Sequence, residues 1–141
     1  MDGRVSYALP ERMTLYRQYY IGRVLGAGGY GITYLAWDLR NNRRVAVKEL
    51  YPRENVKRNP DRVSVTANPG SEAYFQHVKE SFKREAQILH TLADLKDVIE
   101  VYHLFELNNT AYYVMEYLEG EDLKHRLKRC GTMSWEELAP H

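Results

Sequence analysis

Three features of the chain have the right groups for chemistry. The first is the run Gly26-Ala27-Gly28-Gly29-Tyr30-Gly31. Four glycines in six positions remove most Cβ atoms, so the backbone can bend sharply and another group can lie against its N–H groups. Successive exposed N–H groups form a concavity suited to phosphate. The second is Lys48, set in Val45-Ala46-Val47-Lys48-Glu49. A strand period of two puts Ala46 and Lys48 on one face and Val45 and Val47 on the other, so the lysine shares its side with a small residue and can reach into a cleft. The third is Glu85. It falls with Phe82, Leu89 and Leu92 on one helical stripe, with Ile88 beside it. A carboxylate on an apolar stripe requires a positive partner, because burying it alone is costly. Glu80 is the rival glutamate but lies off that stripe.

Glycine runs of this spacing serve several chemistries, and the flanking residues choose among them. A dinucleotide fingerprint needs a helix directly after the glycines. Here Ile32-Thr33-Tyr34 follows, a β-branched run that alternates like a strand. A Walker-type loop needs Gly-Lys-Ser/Thr at its end, and Gly31 is followed by Ile32. The third chemistry is a hairpin whose glycine tip folds over nucleotide phosphates, with a lysine on the next strand. The order found here fits it. A merely flexible turn is the plain alternative.

The elements that must position these residues follow in order. Residues 1–18 contain Pro10 and scattered arginines and read as a lead-in, partly ordered at most. Strands are expected at Tyr19–Leu25, Ile32–Trp37, Arg44–Leu50, Val101–Leu107 and Ala111–Met115. Asn41-Asn42 and Asn108-Asn109-Thr110 are turn signals. The first two strands and the glycine run make a hairpin with an over-long, pliable tip. Pro52 to Gly70, with Pro52, Pro60 and Pro69, reads as a long surface loop. Ser71 to Leu92 is the long helix. Asp122 to Arg129 reads as a short helix, and Ser134 with Glu137 as the capping box of another. That last helix would have run only a turn or two at His141, so the domain is expected to continue. The fold class is α+β: a five-stranded antiparallel sheet with one long packed helix.

Composition narrows the function classes. Twenty Lys and Arg against nineteen Asp and Glu leave a formal net charge of +1. No basic excess points to nucleic acid. The lone Cys130 cannot close an internal disulfide, so a reducing, cytoplasmic setting is expected. It has no neighbouring Cys/His spacing for a metal, and none is assigned. No apolar run approaches membrane-spanning length.

Four stretches together resemble the N-terminal lobe of a eukaryotic-type protein kinase, most closely the bacterial serine/threonine kinases. They are the glycine run continued through Ala36, Val45-Ala46-Val47-Lys48-Glu49, Phe82-Lys83-Arg84-Glu85-Ala86, and Tyr113-Val114-Met115-Glu116-Tyr117-Leu118-Glu119-Gly120. The resemblance covers about residues 19–141. It implies an ATP-binding lobe over 19–121, then a helix and the start of a helical second lobe over 122–141. By the same resemblance Lys48 holds the α- and β-phosphates of ATP and Glu85 fixes Lys48. Gly26, Ala27, Gly28, Gly29, Tyr30 and Gly31 form the flap over the phosphates. Leu25, Thr33 and Ala46 sandwich the adenine, with Thr33 standing where the family usually has valine. Met115 guards the back of the pocket, while Glu116 and Leu118 offer backbone carbonyl and N–H. Asp122 lies near the ribose hydroxyls, or is a plain helix cap, or both. Leu89 and Val101 join an apolar column between helix and sheet.

The resemblance also shows what these 141 residues lack. Neither a His-Arg-Asp catalytic loop nor an Asp-Phe-Gly segment occurs. Kinases take the acceptor base and the Mg²⁺ ligands from these. Mg²⁺ and the protein substrate are therefore expected only with a complete second lobe. Two readings stay open: the ATP-binding lobe of a serine/threonine kinase, or a stand-alone lobe that binds or regulates without catalysis. The second would leave an apolar face open to a dimer or partner.

Overall fold

A computed structural model describes residues 5–93, 95 and 98–118. The helices expected over 122–129 and after Ser134 lie outside the described residues. Elements run in the order β1 (Thr14–Leu15), β2 (Tyr19–Ala27), β3 (Gly31–Asp38), β4 (Arg43–Leu50), β5 (Val56–Arg58), β6 (Val65–Ala67), α1 (Glu72–Thr91), β7 (Val101–Leu107) and β8 (Thr110–Glu116). Six strands form one antiparallel sheet in the order β1-β2-β3-β4-β8-β7, and β5 pairs with β6 separately. Helix α1 packs against β7 and β8.

Local chemistry explains the turns. After β3, the Asp38 carboxylate accepts from the N–H groups of Arg40 and Asn41 and from Asn41 Nδ2, and Asn42 takes a positive φ. Asn108 and Asn109 both have positive φ (57° and 63°) in the two-residue β7–β8 connection. Asparagine tolerates that conformation, and its twist matches the flanking strands. Glu72 stands in the first turn of α1, where a negative charge complements the helix dipole.

Two expectations need correction. The five expected strands are present, and among the described residues the lead-in, expected to be partly ordered at most, is ordered and adds the two-residue β1 at the sheet edge. Leu15 pairs with Tyr19 and is buried, Leu9 is buried, and the Leu9 N–H donates to the Tyr34 hydroxyl. Two isolated leucines carry no period, so the sequence pattern is silent there. The Pro52–Gly70 stretch is not a plain surface loop but holds the β5–β6 hairpin, which buries Val56 and Val65. Strands of three residues between prolines are too short to show alternation. Helix α1 turns Phe75, Lys79, Phe82, Ala86 and Leu89 toward the protein, while Ile88, beside the expected stripe, is 39% exposed.

Strand β4 has both faces covered. Val45, Val47 and Glu49 point to the back, where Tyr34 and Tyr112 flank the glutamate. The Glu49 carboxylate accepts two bonds from Arg58 at 2.8 Å, one from Tyr34 at 2.7 Å and one from Tyr112 at 2.8 Å. Arg58 also donates to the carbonyls of Tyr7 and Val63, so one guanidinium joins the lead-in, the hairpin and the sheet. Burial works against its charge, but Glu49 more than offsets that and raises its pKa. Among the described residues no buried side-chain N or O lacks a hydrogen-bond partner.

This pair makes a stability prediction. Arg58→Met strands a buried carboxylate and should cost about 3–5 kcal/mol in urea unfolding. Adding Glu49→Gln should recover part of that loss, and a double variant no better than the single would contradict the assigned role.

Candidate functional site

Lys48 leaves β4 on the face opposite Glu49. Its register partners are Thr33 on β3 and Tyr113 on β8, so all three share that face. Helix α1 presents Glu85 to it. Lys48 Nζ lies 3.3 Å from Glu85 Oε2, and the Tyr113 hydroxyl donates to the same oxygen at 2.7 Å. The lysine side chain is 2% exposed and the glutamate's 14%. The rings of Phe82 and Tyr113 lie 5.9 and 5.7 Å from Nζ. Glu80 pairs instead with Lys83 on the exposed side of the helix.

The electrostatics of this pair are those of a site short of negative charge. Burial lowers the Lys48 ammonium to about 8, against the raising influence of Glu85. Burial likewise raises the Glu85 carboxyl, against Lys48 and its hydrogen bonds. Burial outweighs attraction on both sides, so an anion arriving beside Nζ would raise the lysine's pKa back toward its ordinary value.

A cleft of about 330 Å³ opens at this pair. Tyr30 covers it, Lys48 and Leu50 line it from the sheet, and Tyr74, Phe82 and Glu85 line it from the helix. The glycine run above is a tighter hairpin than expected. Gly26 pairs with Thr33 and Ala27 with Ile32, which leaves only Gly28, Gly29 and Tyr30 between the strands. The Gly28 N–H donates to the Gly31 carbonyl at 2.9 Å. A Cβ on Gly31 would stand 2.9 Å from the Glu49 carbonyl oxygen and 3.5 Å from Lys48 Cε, so only glycine lets the turn lie this close to β4. A Cβ on Gly26 would meet nothing within 4 Å. There is thus free space beside Gly26, and the Lys48 ammonium in the cleft below is a cation that fits a phosphate group.

The remaining expected site residues are placed as follows. Ala46 pairs with Leu35 and Met115, on the same face as Lys48. Thr33 is on that face too, while Leu25 is half-buried near the end of β2. Thr33, Ala46, Met115 and Leu25 are not among the residues lining the cleft at Lys48. The Glu116 N–H donates to the Glu100 carbonyl, and its carboxylate accepts from the Glu100 N–H. Leu118 packs half-buried against the core. Leu89 and Val101 are both buried in it. Asp122 lies outside the described residues. Sequence reasoning missed Tyr113, which stands two residues before Met115 and so shares its face; strand alternation could have found it. It also missed Tyr74, whose hydroxyl meets that of Tyr30 only through the fold.

A sheet and one packed helix, with a lysine–glutamate pair beneath a glycine turn, define a class of protein. The protein kinase domain family matches residues 19–140, and the chain belongs to that family. Among curated relatives, the serine/threonine-protein kinase PknA of Nostoc sp. (strain PCC 7120 / SAG 25.82 / UTEX 2576) is 36% identical over 120 residues, 83% of this chain and 19% of the relative. PknD of Chlamydia muridarum is 34% identical over 112 residues, 79% of this chain and 10% of the relative. The chain thus spans at most about a fifth of these proteins' length. Among solved structures, the PpkA-294 apo form superposes with a TM-score of 0.76 at 30% identity, covering 82% of this chain and 40% of that one. The kinase domain of Mycobacterium tuberculosis PknI, with a TM-score of 0.56 at 23% identity over 80% of this chain and 38% of that one, shares the fold.

The two glycines should behave oppositely. Gly31→Ala should destabilise the chain by about 1–3 kcal/mol, since the atom it meets is backbone, whereas Gly26→Ala should stay within about 0.5 kcal/mol. Chemical denaturation of both variants checks the difference.

Proposed function

We propose that this chain supplies the ATP-binding part of a serine/threonine protein kinase, whose complete form transfers the γ-phosphoryl group to protein hydroxyls. The observation that carries this reading is the buried Lys48–Glu85 pair directly beneath the glycine turn. Lys48 would contact the α- and β-phosphates, and Glu85 would hold Lys48 in place. The turn from Gly26 to Gly31 would cover the phosphates with backbone N–H groups. Leu25, Thr33 and Ala46 would flank the adenine, with Met115 behind it. Glu116 would present its carbonyl and Leu118 its N–H, and Asp122 would serve the ribose. ATP supplies the phosphoryl group, and residues beyond the stretches described would supply the acceptor base and hold Mg²⁺. Positioning and charge neutralisation are the contributions open to these side chains, as phosphoryl transfer requires.

Lys48 gives a test with a defined sign. Losing a charged hydrogen bond to phosphate weakens binding by about ten- to a hundredfold, so Lys48→Met should lower Mg-ATP affinity by that factor in calorimetry. With the free lysine at about 8, binding above that pH requires proton uptake. Affinity should be level between about pH 7 and 8, then fall by up to about tenfold per pH unit. The same fall should be absent in Lys48→Met. A variant that binds as the parent does, or a wild-type profile flat through pH 9.5 or so, would refute the role of Lys48.

A further inference from the structure

The segment between β4 and α1 touches the glycine turn from both of its ends. At its start the Tyr51 N–H donates to the Tyr30 carbonyl at 2.8 Å, and the Arg53 N–H donates to the Gly29 carbonyl at 3.2 Å. Just past its end, on the first turn of α1, the Tyr74 hydroxyl donates to the Tyr30 hydroxyl at 3.0 Å. The two ends are also fastened to each other. The Asn68 N–H donates to the Asn55 carbonyl at 2.8 Å, Asn55 Nδ2 donates to Ser71 Oγ at 3.3 Å, and the Ser71 N–H donates to the Asn68 carbonyl at 2.8 Å. Between them, Arg58 anchors the hairpin on Glu49, the neighbour of Lys48 in β4.

A glycine turn by itself has almost no side chains to hold it, and ordering it costs more backbone entropy than any other residue type would. Here the two residues at its tip have their carbonyls tied to a braced segment that also joins the helix carrying Glu85. We infer that Arg53 and Tyr74 are positioning residues for the nucleotide site: the Arg53 N–H and the Tyr74 hydroxyl hold the glycine turn at a fixed height over Lys48 and couple it to α1. This deepens the proposed function and rests on the reading that the turn covers phosphate. It makes the flap a pre-set part of the site, so nucleotide binding need not order it.

Arg53 allows the bond to be removed with little else. The Asn55 N–H donates to the Pro52 carbonyl at 2.8 Å, which places Arg53 second in a four-residue turn. Proline is favoured at that position, and the Arg53 φ is not positive. Arg53→Pro therefore keeps the turn and deletes the N–H. Arg53→Ala keeps the N–H and deletes only the side chain, whose Nη1 donates to the Tyr7 hydroxyl at 3.1 Å.

The test is hydrogen exchange of the 141-residue chain and its variants, followed in a peptide spanning residues 24–34 and in one spanning β7–β8, together with Mg-ATP titration. Arg53→Pro should speed exchange in 24–34 by about three- to tenfold, the loss of one net hydrogen bond. Tyr74→Phe should speed it by about twofold or more, and Arg53→Ala should leave it within about twofold of the parent. Mg-ATP affinity should fall in Arg53→Pro by a factor similar to the exchange gain. Unchanged exchange in Arg53→Pro overturns the inference, as does an equal gain in Arg53→Ala. If Arg53→Pro loosens β7–β8 as well, Tyr74→Phe decides: a gain confined to 24–34 supports the inference and no gain overturns it. Mg-ATP binding unchanged by Lys48→Met, with the turn freed by Arg53→Pro, would remove the proposed role of Lys48 and keep the positioning. Equal Mg-ATP binding with unchanged exchange would do the reverse.

Discussion

Strand β4 carries a lysine and a glutamate side by side, and alternation sends them to opposite faces of a sheet that is covered on both sides. Lys48 is 2% exposed and Glu49 is fully buried. An unpaired buried charge is too costly to keep, so each face must bring a partner of opposite sign. On the cleft face that partner is Glu85, which fixes where α1 lies. On the back it is Arg58, which fixes where the β5–β6 hairpin lies and, through the Tyr7 carbonyl, the lead-in as well. Much of what surrounds the sheet is thus arranged to answer two adjacent charges.

The two pairs are not equivalent. Glu49 receives a two-pronged guanidinium and two phenol hydroxyls, all within 2.8 Å. Such a carboxylate has its lone pairs satisfied, and the arrangement is structural. Lys48 and Glu85 meet at 3.3 Å beside an open cleft, and burial drives both toward their neutral forms. A pair left in that state can respond to a third charge. The two faces thus differ in how fully each buried charge is answered.

Membership of the protein kinase domain family rests on residues 19–140, and the likeness to the two bacterial serine/threonine kinases covers 83% and 79% of the chain. The geometry adds what a motif match cannot: the turn, the lysine and the glutamate converge on one cleft. The Pro52–Gly70 stretch, which lengthens the separation of Lys48 from Glu85 in sequence, does not push them apart in space. It folds back on itself through the Asn55–Asn68 bond and returns the chain to the start of α1.

Sequence alone determined the strand–glycine–strand order, the face of Lys48 and the choice of Glu85 over Glu80, because each follows from periods of two or 3.6 that act within a few residues. It also carried the two-asparagine turn before β8, where positive φ has a residue-level cause. The buried lead-in, the β5–β6 hairpin, the exposure of Ile88 and the meeting of Tyr30 with Tyr74 were decided only by the tertiary structure. Leu9, Leu15, Val56 and Val65 each bury alone, so no period marks them. Arg58 and Glu49 look like ordinary surface charges until the fold removes water from both and leaves each with the other.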